Sequence, residues 1–351
     1  MAILQVNVRP ATRLRRFQSF RRGELAIAIS RSGRNAINPT GNHDSPADAP
    51  QAISETDPQE QPPLWQRVVW TLIPGTTIGR AIVSATQRLE EAGSDTAHLD
   101  AQVILAHTLG VERSWLFAHY DYRLNPNQAS QYTELVARRA SAEPVAYIVG
   151  RKEFYGLEFF VDRRVLIPRP ETELLVDAVL DHIALRADKA VRMVDVGTGS
   201  GAIALAVAAN CPDARVYAVD LSQKALEVAR LNVEQIDARH QVTLLQSDLL
   251  SALPERVDII AANLPYIASD EYESLDVGVR DYEPALALKA GPQGLDAIER
   301  LLRQAQDHLS PGGVLFLEIG HNQGDAVLEL VKRVIPGASY VGLREDYHGH
   351  D

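Results

Sequence analysis

One cysteine, no long apolar run and no surplus of positive charge set the first bounds on this 351-residue sequence. The lone thiol, Cys211, excludes an internal disulfide and any multi-thiolate metal site; this suits a reducing compartment and makes the cytoplasm the expected location. Cys211 itself reads as a small buried hydrophobe following a helix. No stretch approaches the ~20 apolar residues needed to span a bilayer. A net charge of −11 disfavours any chain that grips nucleic acid chiefly through phosphates, since such binding needs a basic surface. The terminal His348 and His350 have no partner pattern, so no metal is expected.

What is present has the composition of a globular protein, 46% hydrophobic and 23% charged, and a length that suits two domains better than one. Charge is uneven at the start. Residues 1–37 hold eight arginines and one acid, Glu24, whereas 38–61 hold five acids and no Lys or Arg. The stretch from Pro39 to Pro63, rich in Pro, Asp, Gln, Ser and Ala, has the composition of a disordered linker. The apolar run at Leu25–Ile29 is shorter than the ~7–15 residues of a signal-peptide core. Residues 1–62 therefore read as a disordered leader and linker. An Arg-rich, acid-poor leader also fits a mitochondrial transit peptide, which makes the organelle matrix the alternative location.

Helical periodicity begins at Leu64. Ile78, Ile82, Ala85 and Leu89 recur at spacings of three and four up to Gly93, and Ser94 or Asp95 can cap a second helix carrying Leu99, Val103, Leu105 and Leu109. A further amphipathic run over 127–142 stops before Pro144. This predicts a small helical bundle over 63–150. Around Gly156 the pattern turns strand-like, with Phe154, Tyr155, Phe159, Phe160 and Val161, so 151–169 reads as a β-hairpin linker. From 170 to 351, short apolar runs at 192–196, 215–219, 242–246, 257–262, 314–319 and 339–343 alternate with amphipathic helices. Such alternation predicts an α/β domain, a doubly wound, Rossmann-like parallel sheet covered on both faces.

The first strand of that sheet runs into Gly197-Thr198-Gly199-Ser200-Gly201, followed by a helix. Glycines here let the backbone turn sharply and approach a ligand, and the helix start offers unpaired N–H groups. Asp220 closes the next strand, nineteen positions after Gly201, where an acid can accept from both hydroxyls of a ribose. Glycines at every second position, rather than in the G-x-G-x-x-G spacing, favour a nucleoside cofactor without a pyrophosphate. The loop closely resembles the first motif of class I methyltransferases. That resemblance implies S-adenosylmethionine as cofactor, its methionine part on the glycine loop, its ribose on Asp220 and its adenine near Asp248. Asp248 reads equally well as the cap of a short turn over 249–253.

The fourth strand ends in Asn263-Leu264-Pro265-Tyr266, and ligands of such sheets bind at the carboxyl ends of strands. The Asn263 side-chain oxygen and the Leu264 carbonyl can accept the two N–H bonds of a planar NH₂ group while the Tyr266 ring packs on it. The tetrapeptide should face the methyl donor, so Asn263 is also expected among the cofactor-binding residues. Three further runs, Ile167-Pro168-Arg169-Pro170-Glu171-Thr172-Glu173, Tyr282-Glu283-Pro284-Ala285-Leu286-Ala287-Leu288 and Gly291-Pro292-Gln293-Gly294-Leu295-Asp296, resemble the release-factor glutamine methyltransferases of the HemK/PrmC family over about 77–351. The resemblance implies methylation of the N5 amide nitrogen of the glutamine in the Gly-Gly-Gln loop of a peptide chain release factor. It makes that factor the partner, held with help from the helical domain and hairpin. From the residues alone, Arg169 and Glu171 place a charge near the cofactor or cap the helix at Pro170, and Glu173 complements that helix dipole.

Two departures stand out. Leu264 replaces the proline usual in the family's tetrapeptide, and Asn-Leu-Pro-Tyr also resembles the motif of ribosomal RNA adenine methyltransferases, the alternative target. The family also continues into a final strand inside the sheet, whereas this sequence ends in Tyr347-His348-Gly349-His350-Asp351. Either the sequence is a fragment whose sheet lacks its last strand, or something else replaces that strand, and a non-catalytic protein that docks on the translation machinery is the third functional reading.

Overall fold

The computed structural model describes residues 2–8 and 70–345. The expectations for 9–69, the linker and the start of the helical pattern at Leu64 among them, and for the terminal histidines lie outside the described residues.

Five helices make the first layer: α1 (Ile78–Glu91), α2 (Ala97–Leu109), α3 (Arg113–Ala118), α4 (Pro126–Ala140) and α5 (Val145–Val149). Each apolar stripe turns inward, so Ile78, Ile82, Leu89, Ile104, Leu105 and Val136 share one core. α4 begins with a reciprocal cap in which Asn125 accepts from the Gln128 N–H and Gln128 accepts from the Asn125 N–H, with Pro126 at the first helical position. The expected cap of α2 is different. Thr96 occupies that position without a side-chain cap, and Ser94 and Thr96 instead donate to the buried Asp100, which also pairs with Arg139 at 2.7 Å.

β2 (Arg151–Phe154) and β3 (Leu157–Phe160) form the expected hairpin. Its two turn residues, Tyr155 and Gly156, both have positive φ, 52° and 74°, as a tight two-residue turn requires. A 3₁₀ turn (Pro170–Thr172) leads into α6 (Glu173–Leu185).

The sheet contains β4 (Arg192–Val196), β5 (Arg215–Asp220), β6 (Val242–Gln246), β7 (Val257–Asn263), β8 (Leu309–Ile319) and β9 (Ala338–Glu345), which match the six expected strands, all but β4 and β6 with longer ends. It also contains a seventh strand, β1 (Ala2–Val8), and the order is β6-β5-β4-β7-β8-β1-β9. β1 lies antiparallel between β8 and β9, with Leu4 opposite Leu317 on one side and Leu343 on the other. Two expectations are thereby corrected. The start of the chain is not wholly a structureless leader, and the sheet does not lack a strand, because Ala2–Val8 replaces the missing one in the interior slot. The reason is burial. Ala2, Leu4 and Val6 point to one covered face and Ile3 to the other, all 4% exposed or less, so the strand gains packing on both sides.

α6, α7 (Ala202–Asn210) and α8 (Gln223–Gln235) cover one face of the sheet. A short α9 (Val277–Arg280) follows β7, and α10 (Asp296–His308) and α11 (Gly324–Val334) cover the other face. The chain runs from β4 outward through β5 and β6, then returns to place β7 on the other side of β4. That reversal opens a crevice at the carboxyl ends of β4 and β7.

Candidate active site

The glycine loop leaves β4 at this crevice. Gly197, Gly199 and Gly201 have φ of +75°, +55° and +86°, a region that side chains disfavour. At Gly197 a Cβ would also lie 3.2 Å from a Leu264 methyl and 3.6 Å from the Asn263 carbonyl, so the two predicted motifs are in close contact. Thr198 and Ser200 face into the protein. The Thr198 hydroxyl donates to Asp195 at 2.6 Å, the same carboxylate oxygen accepts from the Ala204 N–H, and the Ser200 carbonyl accepts from Asn232 at 2.8 Å. These bonds shape the loop. Asn232 also bonds both backbone groups of Phe160, which ties the hairpin to the glycine loop. Asp195 is fully buried with one oxygen unpaired, and burial pushes its pKa up to about 7.

Asp220 ends β5 beside the loop. Its two oxygens accept from the Gly199 and Ser222 N–H groups at 2.9 and 2.8 Å. Burial raises its pKa and those N–H groups oppose the rise. Each oxygen keeps a second lone pair for a ligand hydroxyl. Asp248 lies at the same cavity, its carboxylate paired with Arg300 and half exposed. The expected short turn does follow Asp248, closed by the Ser251 N–H on the Asp248 carbonyl at 3.2 Å, while the Ser247 hydroxyl accepts from the Ala252 N–H within it. Leu249 adopts a positive φ of 52° and lines the cavity, a strained conformation for a leucine.

This cavity, about 740 Å³, is bounded by Gly197, Gly199, Asp220, Asp248, Asn263, Leu264 and Pro265. Arg163, Arg164, Leu166, Lys289 and Arg300 line it as well and carried no signal in the sequence reading. Its size and its mixture of apolar walls with a few fixed polar groups suit a nucleoside-sized ligand. The glycine loop, the paired lone pairs of Asp220 and the apolar wall of Leu249 and Leu264 are compatible with S-adenosylmethionine.

Tyr266 lies on a second, smaller cavity of about 100 Å³ together with Arg169, Asn263 and Glu318. Asn263 borders both cavities. Its amide nitrogen donates to the Thr172 hydroxyl at 3.1 Å. Leu264 is 4% exposed, part of the core under β7. The Tyr266 carbonyl accepts from Gln323 at 2.9 Å, and burial raises the pKa of its phenol. Gly294 comes so close to that carbonyl that a Cβ would stand 2.2 Å from it, which explains a glycine in the third of the characteristic runs.

The first two runs meet at a buried ion pair. Glu283, 4% exposed, accepts from Arg169 at 2.5 Å and from the Ile167 N–H at 3.2 Å. Burial raises the Glu283 pKa and Arg169 opposes it. Arg169 thus fastens two loops beside the smaller cavity. Glu173 does more than complement a helix dipole, since it accepts from the Tyr155 N–H at 2.9 Å and holds the hairpin turn.

Two family models match the chain: "PrmC N-terminal domain" over residues 80–150 and "Methyltransferase small domain" over 171–280. The release factor glutamine methyltransferase of Rhodopirellula baltica is 42% identical over 279 residues, 78% of this chain and 94% of that relative. That of Koribacter versatilis is 40% identical over 260 residues, 73% and 91% of the two chains. The chain belongs to the release factor glutamine methyltransferase family. Among solved structures, the catalytic domain of hMettl16 in complex with an RNA hairpin covers 57% of this family member and 73% of its own chain, at 18% identity and a TM-score of 0.43. In this family member, the two matched segments correspond to the helical layer and to the first half of the sheet, up to the short α9.

Proposed function

We propose that this chain transfers the methyl group of S-adenosylmethionine to the N5 amide nitrogen of the glutamine in the Gly-Gly-Gln loop of a peptide chain release factor. The observation that carries the reading is the Asn263 side chain. It borders both cavities with its nitrogen committed to Thr172, which leaves its oxygen to accept from an incoming amide. When bound, S-adenosylmethionine supplies an electrophilic methyl on a sulfonium. Gly197, Gly199 and Asp220 hold its methionine and ribose portions, and the Asp248 end of the cavity takes the adenine.

An amide nitrogen is a poor nucleophile because its lone pair is delocalised into the carbonyl. With its two N–H bonds accepted by Asn263 and the Leu264 carbonyl, and its plane packed on Tyr266, the lone pair is aimed along one line. The Leu264 carbonyl serves as well as a proline carbonyl would. Solvent would take the one proton that the methylated nitrogen must lose, so no strong base is needed among these residues. The helical layer α1–α5 and the hairpin are the surfaces offered to the protein substrate. Relatives named for release-factor glutamine, together with the acidity of the chain, weigh against adenine in ribosomal RNA.

The test offers purified release factor and ribosomal RNA side by side with tritiated methyl donor. Label is expected in the release factor and absent when its loop glutamine is replaced by alanine. Label in RNA alone would overturn the proposal.

A further inference from the structure

Glu318 is the charged residue of an otherwise apolar strand end, Val314-Leu315-Phe316-Leu317-Glu318-Ile319. It is 1% exposed, is paired in register with Asn263 on β7, and lines the smaller cavity beside Asn263 and Tyr266. Neither of its carboxylate oxygens makes a well-formed hydrogen bond. Burial pushes its pKa up to about 7, opposed by the polar hydrogens of Thr172 and Asn263. A buried carboxylate without firm partners is costly, and a packing role alone would be served better by leucine.

We propose that Glu318 and Thr172 form a relay that decides which end of the Asn263 amide faces the substrate. The argument is one of proton count. A threonine hydroxyl has a single hydrogen and can accept on its lone pairs. Thr172, itself 5% exposed, receives the Asn263 N–H at 3.1 Å, so its own hydrogen must go elsewhere. The Glu318 carboxylate, beside the Thr172 hydroxyl and without a well-formed hydrogen bond of its own, is the acceptor that the relay requires. Once that hydrogen is committed to Glu318, Thr172 presents only lone pairs to Asn263. The amide then turns its NH₂ toward Thr172 and its oxygen toward the cavity. The flipped amide would set one NH₂ against another and could not accept from the substrate. Glu318 and Thr172 are therefore positioning residues that act through Asn263, and the inference rests on the glutamine reading for its activity measurements.

The experiment compares kcat on release factor and cofactor Kd for Thr172→Val, Thr172→Ser, Glu318→Met, Glu318→Gln and the Val/Met double variant. Thr172→Val and Glu318→Met each lower kcat about 10- to 100-fold, the loss typical of a misaligned reacting group, with cofactor Kd within about threefold of the parent. Thr172→Ser and Glu318→Gln recover most of kcat, because serine restores the hydroxyl and the glutamine oxygen restores the acceptor. The double variant is no worse than the poorer single, since both break one relay. A Glu318→Gln variant as impaired as Glu318→Met, or a Thr172→Val variant with parental kcat, would overturn the relay. A second measurement needs neither a folded valine variant nor the release factor: hydrogen exchange of the Asn263 side-chain amide in the cofactor-loaded parent. One slowed Nδ2 proton is expected, and two fast ones contradict the relay. Absence of parental activity on release factor would refute the glutamine reading alone, with the exchange measurement still deciding the relay.

Discussion

Asp220 serves the fold and lines the cavity proposed for the cofactor. Its two oxygens hold the Gly199 and Ser222 N–H groups at the edge of that cavity. Asp220→Ala is expected to weaken cofactor binding by about 1.5–3 kcal/mol, roughly ten- to hundredfold, as charge-assisted hydrogen bonds to the ribose are lost. Calorimetric titration checks this, and unchanged affinity would mean that the ribose lies elsewhere. Asn263→Ala differs in kind, since an interaction used to align the amide should lower kcat far more than cofactor affinity. Equal losses in turnover and binding would make Asn263 a cofactor or structural residue. Glu318 adds a pH dependence. Its folded-state pKa, raised to about 7, lies above the unfolded value, so the folded state binds more protons between the two. Its contribution to stability is therefore present at low pH and falls as pH rises toward and beyond 7. His107 and His182, both with lowered pKa, act in the opposite sense near pH 6, so the informative quantity is the difference between parent and Glu318→Gln. Urea unfolding should show the parent losing about 1–3 kcal/mol relative to the variant between pH 5 and pH 8. A difference independent of pH would mean that Glu318 titrates normally.

Elements fix the site by joining segments far apart in sequence, and the Arg169–Glu283 pair is the clearest join. Glu283 is nearly sealed from water whereas a third of Arg169 remains exposed, so removing the arginine strands a buried carboxylate. Arg169→Ala should cost about 2 kcal/mol, below the value for a fully buried pair because solvent reaches the arginine, and adding Glu283→Gln should recover part of it. Thermal unfolding of the single and double variants checks both statements; additive losses would mean that the two residues act separately. This join also shows where sequence reasoning runs out. The strands were legible because apolar runs of fixed length alternate with helical periods, and the glycine loop, Asp220 and Asn263 because their chemistry is local. Arg169 and Glu283 were visible as motif members, but nothing in either run says that they touch across 114 positions. Thr172 carries no local signal of a role, since its value lies in one hydrogen bond to a residue 91 positions away. Glu318 had a signal that went unused, a carboxylate within a buried strand. Leu264 was read for its carbonyl, yet its side chain also packs against Gly197, a contact that only the folded loop creates.

At the scale of the molecule, the least legible feature is the path of the chain. Ala2–Val8 is short, is followed by an Arg-rich stretch, and is separated from its partners β8 and β9 by about three hundred residues. Local pattern cannot reveal such a pairing. Its energetic weight is large all the same. Ala2, Leu4 and Val6 join the core under α10 and α11, Ile3 joins the opposite core, and Ile3 stands beside Glu318 in the register of β1 and β8. A processed form without the first 62 residues would leave the facing edges of β8 and β9 unpaired, with their apolar neighbours uncovered. We therefore expect that removing residues 2–8 abolishes cooperative unfolding of the sheet domain together with measurable cofactor binding. Leu4→Ala, which keeps the strand, should cost about 2–5 kcal/mol as a fully buried leucine is lost. Leu4→Asp should cost more, because the charge has no partner between two covered faces. Gln5→Ala serves as the internal comparison, since Gln5 is only partly buried and bonds its neighbour Asn7; it should change stability by about 0.5 kcal/mol or less. Urea unfolding and calorimetric titration of the four variants check the series. Because β1 belongs to the sheet, a synthetic peptide of residues 1–9 added to the truncated chain should restore part of the cofactor binding. A truncated chain that unfolds at the parental midpoint and binds cofactor as well as the parent would show that the strand is dispensable.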